Sequence, residues 1–127
     1  MNNFGAVLFA KDVARIGRFY EAVAGLAVIE TAPTWVRLGA GAFELVVHGI
    51  PPHIAATFEI STPPERREDA AIKLIFPVAD IALARATAAQ LGGELNPSDR
   101  EWQVGPSRVC DGCDPQGNVF QVQMRTA

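Results

Sequence analysis

Apolar residues between Asp12 and Gly25 recur every three or four positions, which is the spacing of a helix with one buried face. The members of this stripe are Val13, Ile16, Phe19, Tyr20 and Val23. Asp12 is a suitable N-cap because its carboxylate can accept from the free amides of the first turn. Gly25 can adopt the left-handed conformation that ends many helices. The pattern therefore predicts a helix between these two residues.

The same plan returns in the second half of the chain, from Asp80 to Gly93. Its apolar stripe consists of Ile81, Ala84, Ala88 and Leu91. Asp80 follows Asp12 by 68 positions, and Gly93 follows Gly25 by the same 68 positions. A repeat with a fixed offset indicates two copies of one structural unit.

Short apolar runs with strand-like alternation flank both helices. The strand predicted before each helix covers Phe4 to Ala10 in the first half and Ile72 to Val78 in the second. Turn formers in Gly39-Ala40-Gly41 and in Asp114-Pro115-Gln116-Gly117-Asn118 separate later strands. The segments predicted to follow the helices are 27–29, 35–38 and 43–48, then 94–95, 108–110 and 119–124.

These elements predict an α+β fold built from two βαβββ modules. The modules would form a curved, eight-stranded mixed sheet with the helices on its convex side. We predict a single domain over residues 1–127, with a first module at about 1–48 and a second at about 72–127. The linker, about 49–71, contains two Pro-Pro pairs that resist regular structure.

Alternation sorts the side chains of each predicted strand into two faces. One face is wholly apolar and suits packing beneath a helix. The other face is mixed and carries Glu44, His48, Lys73, Gln121 and Gln123, which Trp35, Arg37, Arg108 and Cys110 are expected to join. A mixed face can simply be wet, or it can line a concave, partly apolar ligand cup. The apolar residues among its members, such as Val7 and Phe9, favour the cup.

Composition restricts the partners. The chain is 49% hydrophobic and 20% charged, with a net charge of -3 and a pI near 5.3. These values argue against nucleic acid, which requires a basic surface. No run of about 18 apolar residues predicts a membrane span. Met1-Asn2-Asn3 has no basic region typical of a secretory leader, so we expect a cytoplasmic protein whose Cys110 and Cys113 are free thiols.

The paired modules, the segment from Lys11 to Tyr20 with its Phe-Tyr pair, and the Asp114-Pro115-Gln116-Gly117-Asn118 turn resemble the vicinal-oxygen-chelate superfamily. This group includes glyoxalase, bleomycin-resistance and extradiol-dioxygenase proteins. The resemblance runs almost end to end and implies the glyoxalase-like fold. It also implies a homodimer. Fold alone does not fix the reaction.

Enzymes of this superfamily bind a divalent metal through side chains on the first and last strands of each module. The resemblance places these positions on Gly5, Glu44, Lys73 and Gln121. Glycine has no donor, and the lysine ammonium repels a cation. Glu44 and Gln121 alone would hold an octahedral ion poorly. We therefore predict no cofactor and disfavour a metal, and expect Lys73 to pair with Glu44.

Other candidate motifs have both a functional and a structural interpretation. His48 could be a base or a ligand, or a strand-end residue, whereas His53 is expected in a loop. Cys110 and Cys113 form a C-x-x-C pair without the context of zinc or redox sites. Arg66 and Arg67 could clamp an anion or pair with their acidic neighbours. Trp102, predicted in a loop, could wall a pocket or belong to the core.

Three functions remain open from the sequence. The first is a binder of a small, partly apolar molecule that can be anionic, without a family-type metal site. Its candidate binding residues are Trp35, Arg37, Glu44, His48, Lys73, Cys110 and Gln121. The second is a metal-dependent lyase, isomerase or dioxygenase with an unusual ligand set. The third is a metal-free enzyme in which Glu44 is the catalytic base.

Overall fold

The computed structural model of the chain describes residues 3–126. Met1, Asn2 and Ala127, which belong to the leader prediction and to the predicted module ends, lie outside the described residues. The chain divides into two compact units, of which the first ends at Ile60 and the second begins at Ser61. Each unit has its own sheet, and the prediction of a single domain stays a prediction.

The first unit contains a four-stranded mixed sheet in the order β1-β4-β3-β2. Strand β1 runs parallel to β4, and the other neighbours are antiparallel. The elements are β1 (Phe4–Ala10), α1 (Val13–Ala24), β2 (Ala27–Ala32), β3 (Trp35–Ala40), β4 (Phe43–Gly49) and α2 (Pro52–Ala55).

The second unit contains a five-stranded mixed sheet in the order β5-β9-β8-β6, with β7 also pairing with β8. Strand β5 runs parallel to β9. The elements are β5 (Leu74–Pro77), α3 (Ile81–Gln90), β6 (Glu94–Leu95), β7 (Trp102–Val104), β8 (Ser107–Cys113) and β9 (Val119–Arg125). A short 3₁₀ turn, Ser98–Arg100, precedes β7.

The predicted α+β class and the strand–helix–strands plan of both halves are confirmed. The strand count was too low, because Trp102–Val104 forms a strand on β8 where we predicted a loop. The described strands lie in sheets of four and five rather than in one sheet of eight. The linker contains the short helix α2, since proline is tolerated in the first turn of a helix.

Both predicted helix starts are confirmed. The Asp12 carboxylate accepts from the amide of Arg15 at 3.0 Å, and Asp80 accepts from Leu83 at 3.1 Å. Gly25 ends α1 in the left-handed conformation, with φ of 68°. Helix α3 ends at Gln90, earlier than predicted, and the glycine with positive φ after it is Gly92 rather than Gly93. Within residues 3–126, no helix is long and apolar enough to cross a bilayer.

The apolar face of each sheet packs beneath its helix. In the first unit, Leu45 and Val47 of β4 are fully buried, and so are Ile16 and Phe19 of the α1 stripe. Gly17 allows α1 to approach β3, since a Cβ there would lie 2.9 Å from a methyl of Val36. In the second unit, Phe76 and Phe120 pack edge to face at 6.0 Å. Burying these residues supplies the main stabilisation of each sheet.

In the second unit the start of β5 differs from the prediction, whereas the Asp114 turn lies where it was predicted. Strand β5 begins at Leu74 rather than at Ile72, which is 77% exposed instead of facing the core. The buried carboxylate of Asp114 stabilises this turn by accepting from the amides of Gln116 at 2.8 Å and Asn118 at 3.1 Å. The turn also contacts the segment that precedes β5, because the backbone amide of Arg67 donates to the carbonyl oxygen of Gly117.

Candidate functional site

The first mixed face is the side of the first sheet opposite α1. Strand register places Glu44 beside Gly5, and His48 beside Phe9. On the other side of β4, His48 pairs with Trp35. Residues in register across neighbouring strands project to the same side. The members of the first mixed face are therefore Gly5, Val7, Phe9, Trp35, Arg37, Gly39, Glu44, Val46 and His48.

Arg37 is the central charge of the first mixed face. Its Nη2 lies 3.1 Å from Oε1 of Glu30, and its Nη1 lies 4.0 Å from Oε1 of Glu44. Glu44 Oε1 also accepts a long hydrogen bond, 3.4 Å, from the side-chain Nδ2 of Asn3. The Nε of Arg37 is buried and has no hydrogen-bond partner within residues 3–126. These half-exposed groups can orient a polar part of a ligand.

An apolar patch lies on the same face. Val7 is 58% exposed and Phe9 is 57% exposed. The Phe9 ring meets the imidazole of His48 edge to face, with centroids 5.9 Å apart. Nδ1 of His48 lies 2.9 Å from the carbonyl oxygen of Gly49. Because a carbonyl only accepts, a hydrogen bond here places a proton on Nδ1, and in that tautomer of the neutral ring Nε2 is an acceptor.

The second mixed face lies in the second unit and carries a chain of polar side chains. The Lys73 ammonium donates to Asp111 Oδ2 at 2.9 Å, and the Gln121 amide donates to Asp111 Oδ1 at 3.2 Å. The Gln123 amide donates in turn to Gln121 at 2.9 Å. Lys73 and Gln121 were predicted on this face. Asp111, which connects them, was missed.

Each member of the expected Lys73–Glu44 pair has a partner within its own unit, and the pair itself stays a prediction. Lys73 is neutralised by Asp111, and Glu44 lies beside Arg37. The partner of Lys73 depends on the register of β8 against β9, which places Asp111 opposite Gln121. The Asp114 turn is the sequence signal that could have identified this partner. Counting residues back from the turn along β8 and forward along β9 sets Asp111 opposite Gln121.

Cys110 was assigned to the wrong face. It pairs with Val122, a core residue, and is fully buried. Its Sγ lies 3.4 Å from the carbonyl oxygen of Asn96. Burial raises the pKa of the Cys110 thiol, and it raises the pKa of the Cys113 thiol as well. A buried thiol with a raised pKa is a poor nucleophile and a poor metal ligand, so Cys110 is a core residue rather than a ligand contact.

Arg108 was also expected on the mixed face, but it belongs to a cluster of three charges. Its Nε donates to Glu101 Oε1 at 3.1 Å, and Arg85 of α3 donates to the other carboxylate oxygen. The Glu101 side chain is only 11% exposed. Burial by itself raises the pKa of Glu101, but the hydrogen bonds and charges of the two arginines outweigh it and hold that pKa below its usual range.

The residues at the four metal positions that the resemblance implies do not fit a divalent ion. A Cβ on Gly5 would lie 2.3 Å from the carbonyl oxygen of Glu44, so the backbones are too close for a ligating side chain. At the third position, the Lys73 ammonium already occupies an Asp111 oxygen. Glu44 and Gln121 remain as the only donors of the four. Over residues 3–126, no three His, Cys, Asp or Glu side chains are grouped to hold a metal.

Of the remaining candidates, Trp102 lies on β7 opposite Val109 and is 39% exposed. His53 is exposed on α2 rather than in a loop. Arg66 does not pair with its neighbours in the charged run. It pairs instead with Glu94 at 2.6 Å.

Two modules of one plan, each a mixed sheet with a helix on one face, define a class of small α+β proteins with a repeated structural unit. The family model for the glyoxalase-like domain matches residues 5–123. The chain belongs to this family, so the resemblance to the vicinal-oxygen-chelate superfamily is confirmed.

Solved structures support the same fold at low sequence identity. A glyoxalase/bleomycin resistance protein/dioxygenase family enzyme from Burkholderia phytofirmans has a TM-score of 0.70 at 19% identity, over 98% of this chain and 99% of that one. The bleomycin resistance determinant encoded on transposon Tn5 has a TM-score of 0.61 at 13% identity, over all of both chains.

A third structure is TnmS3, an antibiotic binding protein from a Streptomyces species. Its TM-score is 0.63 at 15% identity, over 98% of this chain and 96% of that one. No curated protein matches the sequence. At these identities the solved structures show the fold alone.

Proposed function

We propose that this protein binds a small, partly apolar molecule on the first mixed face and does so without a family-type metal site. The single observation that carries the proposal is the exposure of Val7 and Phe9 beside the polar groups of Arg37 and Glu44. An apolar surface with a few oriented polar groups is the usual composition of a small-ligand site.

Each group has a separate role in this proposal. Phe9 and Trp35 supply apolar contact, because aromatic side chains bury large areas with little loss of conformational freedom. Arg37 and Nε2 of His48 supply a donor and an acceptor that orient the ligand. The structural relatives that are described as a bleomycin resistance determinant and an antibiotic binding protein support the same class of function.

A thermal shift screen with amphiphilic natural products, including bleomycin, tests the proposal. A molecule that binds only the folded chain raises the melting temperature by mass action. For any compound that does so, fluorescence in a Trp102→Phe background reports on Trp35, since the chain has two tryptophans. We expect a saturable change in Trp35 emission.

Phe9→Ser is the decisive variant, and Phe4→Ser is its matched control. Both residues are exposed phenylalanines of β1, but they lie on opposite faces of the strand. We expect Phe9→Ser to weaken binding by about tenfold or more, because an aromatic contact contributes about 1.5–3 kcal/mol. Equal affinities of the two variants, or no stabilising compound, would contradict the proposal.

Two roles from the sequence remain predictions. Glu44 as a catalytic base has no observation that favours it over a binding role, and the metal-dependent enzyme has lost two of its four ligand positions. The homodimer implied by the family also remains a prediction, which light scattering of the purified protein would test.

A further inference from the structure

A second candidate site lies wholly within the second unit, in a cavity of about 320 Å³. Three basic side chains line it: Arg66 from the segment before β5, Lys73, and Arg100 from the 3₁₀ turn. We propose that this cavity binds a small oxyanion, a phosphate monoester or a small dicarboxylate. The proposal concerns a site beyond the first mixed face and does not depend on the function proposed there.

Arg66 is held in place before any ligand arrives. Its Nη1 donates to Asn96 Oδ1 at 2.8 Å, and its Nη2 donates to Glu94 Oε1 at 2.6 Å. A guanidinium has five N–H groups, so the two used by Asn96 and Glu94 leave others that can meet a ligand. Because its side chain is mostly buried and its rotamer is already fixed, little conformational entropy is lost when an anion binds.

Lys73 is oriented in the same way. One of its three N–H groups is used by Asp111, which the Gln121 amide holds from the other side. The remaining two N–H groups are available. An ammonium is a compact charge that binds phosphate without demanding a planar partner, and it therefore complements the fork of Arg66.

Arg100 is the least satisfied of the three cations. In the described part of the chain, no carboxylate lies within ion-pair distance of its guanidinium. Two acidic residues, Glu68 and Asp111, also line the cavity. Arg66 is paired with Glu94 and Lys73 with Asp111, so within residues 3–126 Arg100 is the cation of this lining whose charge no ion pair takes up.

The size and lining of the cavity restrict the ligand class. Its volume is at the lower end of the range of about 300–1,000 Å³ for small-molecule sites. Ala70 and Ala71 leave the space open with small side chains. Guanidinium forks match the oxygens of both phosphate and carboxylate. The fit is thus to a small, doubly charged oxyanion rather than to a bulky apolar compound.

Calorimetric titrations of the full chain with inorganic phosphate and with succinate, at an ionic strength fixed by sodium chloride, test the proposal and distinguish the two oxyanions. We expect saturable binding of at least one of them. Arg100→Gln should weaken this binding by about tenfold or more, since a hydrogen bond to a charged group contributes appreciably to binding. Arg67→Gln, which removes the same charge outside the cavity lining, should leave it unchanged.

Glu68→Gln provides a test in the opposite direction. It removes a carboxylate from the cavity and should tighten oxyanion binding severalfold, a gain that partial unfolding cannot produce. The proposal is overturned if neither anion binds above the chloride control, or if Arg67→Gln weakens binding as much as Arg100→Gln. Because Phe9 has no part in this experiment, its outcome is independent of the function proposed for the first mixed face.

Discussion

The two units repeat one plan but use the mixed faces of their sheets differently. In the first unit, Val7 and Phe9 are exposed beside Arg37, which has carboxylates on both sides. In the second unit, Lys73 and Gln121 converge on Asp111. The packed faces are alike because both must bury apolar residues beneath a helix. The mixed faces are free of that requirement, and therefore they differ.

The hairpins before the last strands show a second difference. Gly41 and Gly117 both have positive φ, 57° and 82°. A Cβ on Gly41 would meet nothing within 4 Å, whereas a Cβ on Gly117 would lie 2.0 Å from the carbonyl oxygen of Glu65. The first turn needs glycine only for its backbone conformation. The second also needs the space, because the preceding segment packs against it.

The largest effect on stability is expected from replacing the glycines of these two turns. We expect Gly117→Ala to lower the free energy of unfolding by about 2–5 kcal/mol, the sum of left-handed strain and overpacking. Gly41→Ala, the matched control, should lower it by about 1–2 kcal/mol from strain alone. Urea denaturation followed by circular dichroism measures both. Equal losses would show that the contact between the turn and Glu65 has no energetic weight.

A smaller effect is expected from the ion pairs. Glu101 is nearly buried between Arg85 and Arg108, while Glu30 pairs with Arg37 at the surface of the first unit. We expect Glu101→Gln to cost about 1–3 kcal/mol at pH 7, as charged hydrogen bonds do. Glu30→Gln should cost less than about 1 kcal/mol, which is usual for exposed pairs.

The cost of Glu101→Gln should also depend on pH. The pKa of Glu101 is lower in the folded chain than in the unfolded one, so its contribution is fully present above the unfolded pKa. It is lost as the pH falls through the folded pKa. Urea denaturation of the unmodified protein and of Glu101→Gln from pH 7 down to pH 3 should show the difference between their free energies of unfolding shrinking on acidification. A difference that grows toward low pH would contradict the pKa direction.

The sequence predicted the parts of the fold where packing and capping leave a clear pattern. The alternation around Leu45 and Val47 was sufficient to identify the buried face of β4. The capping residues Asp12 and Asp80 were sufficient to locate the starts of α1 and α3. The side chains of β8 were assigned to the wrong faces. Val109 and Cys110 are adjacent and both buried, so the alternation of apolar and polar residues does not show which of them faces the helix. This error misplaced Cys110.

The missed parts of the candidate sites depend on pairing between distant segments. Asp111 meets Lys73 only because β8 and β5 both flank β9 in a particular register. Arg66 pairs with Glu94 across 28 positions of the chain rather than with its charged neighbours. Neither distance is encoded in local periodicity, so residue patterns alone could not supply them.

The most direct test of the central claim is the divalent metal content of the protein purified without chelators from medium that contains manganese, nickel and zinc. Gly5 and Lys73 stand at two positions where a family-type site requires metal ligands. Elemental analysis by mass spectrometry should therefore find far less than one ion per chain. One ion per chain that is lost in Glu44→Gln would contradict it.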